Sequence, residues 1–214
     1  MSYYELNSNK YGAFSIERHV NNVEFDNNSV DNNSGNSAVK VISADYMAVN
    51  VNIFKNNASG LNYGGALSAH AGKLLVLNNV FDSNMCGIIN GGGPSGGGAS
   101  VNGDDVNVSN NTFVNNGSLI TDDGGGLAVI SYKSAIIANN VIAYNKARYA
   151  GGGVQITCYG GVCSFVNNTV YGNSTTSDSR AGGLSMDAST GTVLNIYNNA
   201  IVIIRIRQAF TIFM

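Results

Sequence analysis

The charged and aromatic side chains that could do chemistry are few, and they gather in short segments between repeated motifs. Charged residues make up 11% of the 214 residues, about half of the usual share. The segments are 85–95, 117–123, 146–150 and 174–180. Their charged and tyrosine residues include Asp122, Asp123, Lys146, Arg148, Tyr149, Asp178 and Arg180. Tyrosine rings and mixed charges suit carbohydrate, so we expect a ligand-binding edge formed by Tyr149, Arg148, Asp178 and Arg180.

The same segments contain the candidates for catalysis. A polysaccharide lyase needs a cation and a lysine or arginine base, and a glycoside hydrolase needs two carboxylates across the scissile bond. The residue types match at Asp122, Asp123, Lys146 and Arg148. Because no lyase or hydrolase motif surrounds them, the sequence favours binding over catalysis and assigns no catalytic residue.

Two pairs of adjacent aspartates are the candidate metal ligands. They are Asp104–Asp105 and Asp122–Asp123, and clustered oxygen atoms are the ligands that Ca²⁺ takes. Adjacent side chains on an extended segment point to opposite sides, so each pair supplies one ligand more naturally than two. We therefore expect solvated acidic turns and no required cofactor. Asp104 and Asp105, together with Lys133 and Asp187, are expected at a different corner of the repeat from the segments above. We call it the second corner.

Composition narrows the class of protein. The chain has 27 Gly and 33 Asn and a net charge of −2, without the basic stripe of a nucleic-acid binder. No apolar stretch reaches the length of a membrane helix. No signal peptide is visible at the N-terminus, so the chain is either intracellular or a piece of a longer exported protein. The repeat favours an exported piece, with an extracellular or cell-surface location.

One string, Asn-Asn-x-apolar-x-x-Asn, recurs along the chain. It reads NNVFDSN from Asn78 and NNTVYGN from Asn167. We take its apolar residue as the anchor, and successive anchors lie 27 to 32 residues apart. The anchors are Phe25, Phe54, Phe81, Phe113, Ile142, Val170 and Ile201. The residue five positions earlier is always apolar, from Val20 onward, and the residue seven positions earlier is apolar except at Arg18. Three positions after the anchor stands Asn, from Asn28 onward, in all copies but the last.

A second column precedes the anchor by about half a repeat. It is a slot of small residues followed by apolar-x-apolar, as in GGALSA at Gly64 and GGGLAV at Gly124. Alternation with period two predicts strands, and no segment between them has helical periodicity. Parallel strands without crossover helices predict an all-β, right-handed parallel β-helix of about seven coils of ~29 residues. Residues 1–202 form the single repeat domain, and 203–214 are an atypical tail, either a truncation or frameshift product or a cap.

In stacked coils, equivalent residues of successive repeats lie directly above one another. The paired asparagines can bend the chain in the left-handed region or hydrogen-bond along the axis, and the sequence does not say which member does which. The expected structural ladder is Asn79, Asn111, Asn140, Asn168 and Asn199, beside Phe81, Phe113, Ile142 and Val170. Cys158 and Cys163 are predicted to point inward, with a disulfide as one alternative, and Cys86 lies in the longest loop segment.

The motifs resemble two repeat families. Gly64-Gly65-Ala66-Leu67 with Phe81-Asp82-Ser83-Asn84 resembles the repeats of polymorphic outer membrane proteins, which are autotransporter adhesins. The fuller pattern NNTVYGN…AGGLSMD…NNAIV is similar to secreted right-handed β-helix proteins of the pectate-lyase-like superfold. The resemblance implies an exported chain within a larger protein. We therefore expect a non-catalytic module that binds a polysaccharide, a cell-surface glycan or a host surface, with a lyase or hydrolase and a structural spacer as alternatives.

Overall fold

A computed structural model describes residues 4–60, 64–87, 95–117, 123–176 and 181–202. They form an all-β parallel solenoid of about six turns, about 28 residues apart. The described residues contain strands and no helix, and the prediction of a parallel β-helix is confirmed.

Each coil combines strands from different sheets. The long strands, several of which divide in two at a bend, are Phe14–Ile16, Val20–Asp26, Val39–Asn50, Leu67–Leu77, Ala99–Ser109, Leu127–Ala138, Val154–Cys158, Val162–Val166, Leu184–Ala188 and Val193–Tyr197. The three-residue strands are Glu5–Asn7, Ser29–Asp31, Ile53–Lys55, Val80–Asp82, Thr112–Val114, Val141–Ala143, Thr169–Tyr171 and Ala200–Val202. The two-residue strands are Ser34–Gly35, Ala58–Ser59, Met85–Cys86, Lys146–Ala147 and Ser174–Thr175.

The core is a set of continuous rows along the solenoid. Phe81 pairs in register with Phe54 and Phe113, and Ile142 and Val170 continue the row. The phenylalanine rings stack with centroids 4.8 and 4.7 Å apart. All five side chains are fully buried, because each coil covers the apolar face of the next.

The first anchor was misplaced by the sequence reasoning. Val30, not Phe25, pairs with Phe54, and Leu6 pairs with Val30. Phe25 pairs with Val49, five positions before an anchor, and Val23 takes the place expected for Arg18. The physical reason is a shorter first coil, since Val30 precedes Phe54 by only 24 residues.

This shift also corrects the assignments of Val20 and Asn28. Val20 pairs with Ala44, so it is not in the expected apolar column. Asn28 is hydrogen-bonded to Asn52 and therefore belongs to the paired asparagines, whereas Asn33 follows the anchor Val30 by three positions. With the corrected register, the exposed Arg18 no longer interrupts a buried row.

The two asparagines of each pair have different roles. The first member has a left-handed backbone, as in Asn139 with φ 57°, and it turns the corner. The second member is buried and bonds to its equivalents in neighbouring coils. These form one ladder: Asn28, Asn52, Asn79, Asn111, Asn140, Asn168 and Asn199. The predicted buried asparagine stack is thus present.

A second asparagine ladder runs along the next corner. Its members are Asn9, Asn33, Asn57, Asn84, Asn116, Asn145 and Asn173. Here too the residue before each asparagine is left-handed, from Ser8 to Gly172. Two ladders therefore fix both ends of each three-residue strand.

The glycine slot is a place of close backbone approach. A Cβ on Gly125 would lie 2.3 Å from the carbonyl oxygen of Gly152 and 2.4 Å from that of Lys146. Gly124, which precedes it, has φ +67°, a conformation that side chains with a Cβ rarely adopt. The slot thus excludes side chains where the two-residue strand meets the start of the long strand.

Candidate functional site

Each two-residue strand, the corner before it and the segment that leads from it to the glycine slot follow one another along one side of the solenoid. We call this side the loop edge, and here it comprises 123–124 and 144–150. Lys146 bridges to Gly117 and pairs with Ser174, and Asp123 bridges to Ala150. Of the predicted residues, Asp123, Lys146, Arg148 and Tyr149 are on this edge. Asp122, Asp178 and Arg180 lie outside the described residues.

Arg148 and Tyr149 form a cation–aromatic pair. The guanidinium carbon of Arg148 lies 4.7 Å from the centroid of the Tyr149 ring, and 43% of Tyr149 is exposed. The hydroxyl of Thr176, in the next coil, donates to the Arg148 carbonyl oxygen over 2.8 Å. The backbone that carries this pair is therefore tied to a neighbouring coil.

Lys146 borders a surface pocket of about 330 Å³. The pocket is lined by Asn115, Asn116, Gly117, Tyr144, Lys146 and Gly172. Within the described part of the chain, neither Lys146 nor Arg148 forms an ion pair with a carboxylate. The loop edge therefore presents two cationic groups that can take a new partner.

Tyr144 is a site residue that the sequence reasoning missed. It is 51% exposed and meets Tyr171 edge-on with ring centroids 5.0 Å apart. Its φ is 56°, at a corner where other coils have asparagine, serine or glycine, and a bulky residue with this conformation is uncommon. Gly172 lies above it, where a Cβ would come within 2.5 Å of the Tyr144 ring. The sequence feature that could have identified Tyr144 is a tyrosine at a position where the equivalent residues of other coils are small.

Asp123 has a structural contact on this edge. Its Oδ1 accepts a hydrogen bond of 2.8 Å from the backbone N–H of Ala150, and Gly124 donates to the Ala150 carbonyl oxygen over 2.9 Å. The carboxylate thus ties two successive coils together.

At the second corner, each acidic side chain contacts its own partner. Asp104 forms an ion pair with Lys133, with Oδ2 and Nζ 2.8 Å apart, and this hydrogen bond raises the pKa of Lys133. The hydroxyl of Ser134 donates to Asp105, and Gln155 Nε2 donates to Asp187 over 2.9 Å. Among the described residues, no three histidine, cysteine or acidic side chains come together as metal ligands. The Ca²⁺ candidates Asp104, Asp105 and Asp123 each contact a different partner.

Cys158 and Cys163 form a disulfide at the bend between Val154–Cys158 and Val162–Val166, with Cα atoms 6.5 Å apart. Both are buried, as predicted from their inward positions. Cys86 is also buried, in the strand Met85–Cys86, because the loop segment begins with a paired strand. The disulfide closes this bend covalently.

Within the described ranges, no helix could span a membrane. Comparison of the chain with protein-family models, curated sequences and solved structures gave no match. The fold therefore rests on the structure itself, and the family resemblance remains an interpretation of the motifs.

Proposed function

We propose that this chain is a non-catalytic binding module of an exported or cell-surface protein and that it recognises glycan along the loop edge. The observation that carries the proposal is the grouping of Lys146 and Arg148, without carboxylate partners among the described residues, beside the exposed rings of Tyr144 and Tyr149. Aromatic rings with polar tips supply contact area, and cationic donors fix orientation.

A further feature supports this proposal. The buried disulfide between Cys158 and Cys163 is typical of proteins from oxidising compartments, which supports an exported chain.

The experiment is a glycan array followed by calorimetric titration of the best ligand. Arg148→Ala and Tyr149→Ala should each weaken binding by about tenfold, equal to ~1.4 kcal/mol. The matched controls are Lys73→Ala, an exposed cation, and Tyr132→Ala, whose ring is 46% exposed at the second corner. Neither control should change the affinity.

The alternatives give different results with the same protein. Cleavage of uronic-acid polysaccharides, followed as new reducing ends and unsaturated product with and without Ca²⁺, would replace binding by lyase or hydrolase activity. Glycan binding that ignores both loop-edge variants would refute the proposed site. Absence of binding across the array would leave the spacer as the better interpretation.

A further inference from the structure

Eight segments of the chain have the sequence Asn-x-Ser or Asn-x-Thr, the acceptor sequence for N-linked oligosaccharide. In most of them a corner asparagine stands two positions before a serine or threonine of a strand, so the repeat itself creates the motif. The segments begin at Asn27, Asn32, Asn57, Asn107, Asn110, Asn116, Asn167 and Asn173. The fold treats these eight side chains in different ways.

Three of the acceptor asparagines belong to the second asparagine ladder and are buried. They are Asn57, Asn116 and Asn173, which are 1%, 0% and 9% exposed. The Nδ2 atom of Asn57 donates to the Val30 carbonyl oxygen and to Asn84 Oδ1, each over 2.9 Å, and Asn116 has the equivalent pair of bonds. An amide nitrogen has two hydrogens, so an oligosaccharide on this atom would remove one bond and would need space inside a closely packed corner. A chain modified there cannot close the ladder.

Asn110 and Asn167 are in the opposite situation. Each is the first member of an asparagine pair, with a left-handed backbone at φ 59° and 55°, and each is exposed. The buried ladder members are their neighbours, Asn111 and Asn168. An oligosaccharide on Asn110 or Asn167 therefore leaves the hydrogen bonds of the ladder in place.

We propose that Asn57, Asn116 and Asn173 accept N-linked oligosaccharide only while the chain is unfolded, and that their modification prevents the solenoid from forming. In the transfer, the Nδ2 atom forms a bond to C1 of a sugar, the bond from C1 to a lipid pyrophosphate breaks, and the amide gives up one proton. The donor is thus a lipid-linked oligosaccharide, and the lipid pyrophosphate is the leaving group. The chain therefore has to fold where this transferase is absent.

This requirement narrows the place of folding. The disulfide between Cys158 and Cys163 is of a kind that forms in oxidising compartments, which include the endoplasmic reticulum and the bacterial periplasm. The endoplasmic reticulum contains the transferase, so the three buried acceptors exclude folding there. A compartment of the periplasmic type remains. This last step rests on the export that the proposed function includes, whereas the effect of modification on folding does not.

The test compares the full chain, translated behind an export leader into endoplasmic-reticulum microsomes, with the same chain exported to a bacterial periplasm. Modified sites are identified by mass spectrometry, and folding is read as resistance to protease. In microsomes we expect oligosaccharide on Asn57, Asn116 and Asn173 and a folded yield that is at least several-fold lower. An excess of a short acceptor peptide, which occupies the transferase, should restore folding.

Two variants separate buried from exposed acceptors. Ser59→Ala, Ser118→Ala and Thr175→Ala together remove the three buried acceptor sequences and keep the ladder asparagines. The matched control, Thr112→Ala with Thr169→Ala, removes the acceptor sequences of Asn110 and Asn167 and keeps the buried ones. In microsomes the first variant should fold and the second should not, whereas both should fold in the periplasm.

Three results would overturn the proposal. One is a wild-type chain that folds in microsomes, with or without oligosaccharide on the buried acceptors. Another is a wild-type chain that stays unfolded when the competing peptide keeps it unmodified. The third is equal folded yield in microsomes for the two variants when both fold in the periplasm. Recognition of glycan at the loop edge is tested separately by the array and does not depend on these results.

Discussion

Replacing Asn140 by alanine should destabilise the fold strongly, because its side chain is fully buried and is an inner member of the asparagine ladder. Its Oδ1 accepts from the backbone N–H of Asn111 over 2.9 Å and from the Asn111 side chain over 3.1 Å. Its Nδ2 donates to the Val108 carbonyl oxygen over 2.9 Å and to Asn168 Oδ1 over 3.0 Å. Alanine removes all four hydrogen bonds.

The size of the expected loss in the free energy of unfolding depends on which groups lose their hydrogen-bond partners. The Asn111 side chain keeps its bonds to Val76 and Ser109, and Asn168 Oδ1 keeps the Asn140 backbone N–H. The buried N–H of Asn111 loses the Oδ1 acceptor of Asn140, and the Val108 carbonyl loses one donor. An unsatisfied buried group costs about 1–3 kcal/mol, so we expect a loss of about 2–4 kcal/mol in the free energy of unfolding.

The measurement is equilibrium unfolding in denaturant, read as a lower midpoint at an unchanged slope. The matched control is Asn139→Gly, which changes the exposed, left-handed member of the same pair and should cost less than about 1 kcal/mol because glycine adopts that conformation freely. If Asn140→Ala is no more destabilising than Asn139→Gly, the hydrogen bonds of the ladder do not stabilise the solenoid.

Two other perturbations test separate features. Gly125→Ala should prevent folding or lower the free energy of unfolding by more than about 3 kcal/mol, since the added Cβ meets two backbone carbonyl oxygens. The control is Gly60→Ala, which should fold normally because its Cβ would lie 3.5 Å from the nearest atom. Equal unfolding midpoints for the two variants would refute the close packing at Gly125. Lys133 should titrate above the ordinary lysine value of 10.5 because Asp104 holds its protonated form. Its contribution to stability is thus present below that value and is lost as the pH rises through the higher, folded-state pKa. Asp104→Asn should lower the Lys133 pKa in an NMR titration, and an unchanged pKa would contradict this interaction.

Repetition explains which parts of the fold could be predicted from sequence. Phe81, Phe113 and Ile142 were identified as one row because the same chemistry returns in each coil with the Asn-Asn string beside it. The assignment of Phe25 was wrong because the first coil is shorter and its true anchor, Val30, lacks the aromatic ring of the next three anchors, Phe54, Phe81 and Phe113. Spacing alone favoured the wrong residue, and the register of the strands decided between them.

The candidate site was harder to predict because its residues do not repeat. Charge and loop position led to Lys146 and Arg148, which do lie on one edge. Tyr144 was missed because it lies inside the repeated string NNVIAYN, whereas the candidate residues were taken from the segments between the repeated motifs. The sequence also left open which asparagine of each pair turns the chain, because both members tolerate the left-handed region. Only the position of each asparagine relative to the preceding strand determines which one turns.

The scaffold and the proposed site share the same hydrogen bonds. Asn145 stands between Tyr144 and Lys146, and its side chain bonds to Asn116 in the preceding coil and Asn173 in the next. The N–H of Tyr144 donates to the Tyr171 carbonyl oxygen, and that of Lys146 to the Asn116 carbonyl oxygen. The backbone under the pocket is therefore held before any ligand arrives, so binding has little backbone entropy to lose. A ladder variant at Asn145 should for this reason weaken ligand binding as well as the fold, although its side chain is buried beneath the surface.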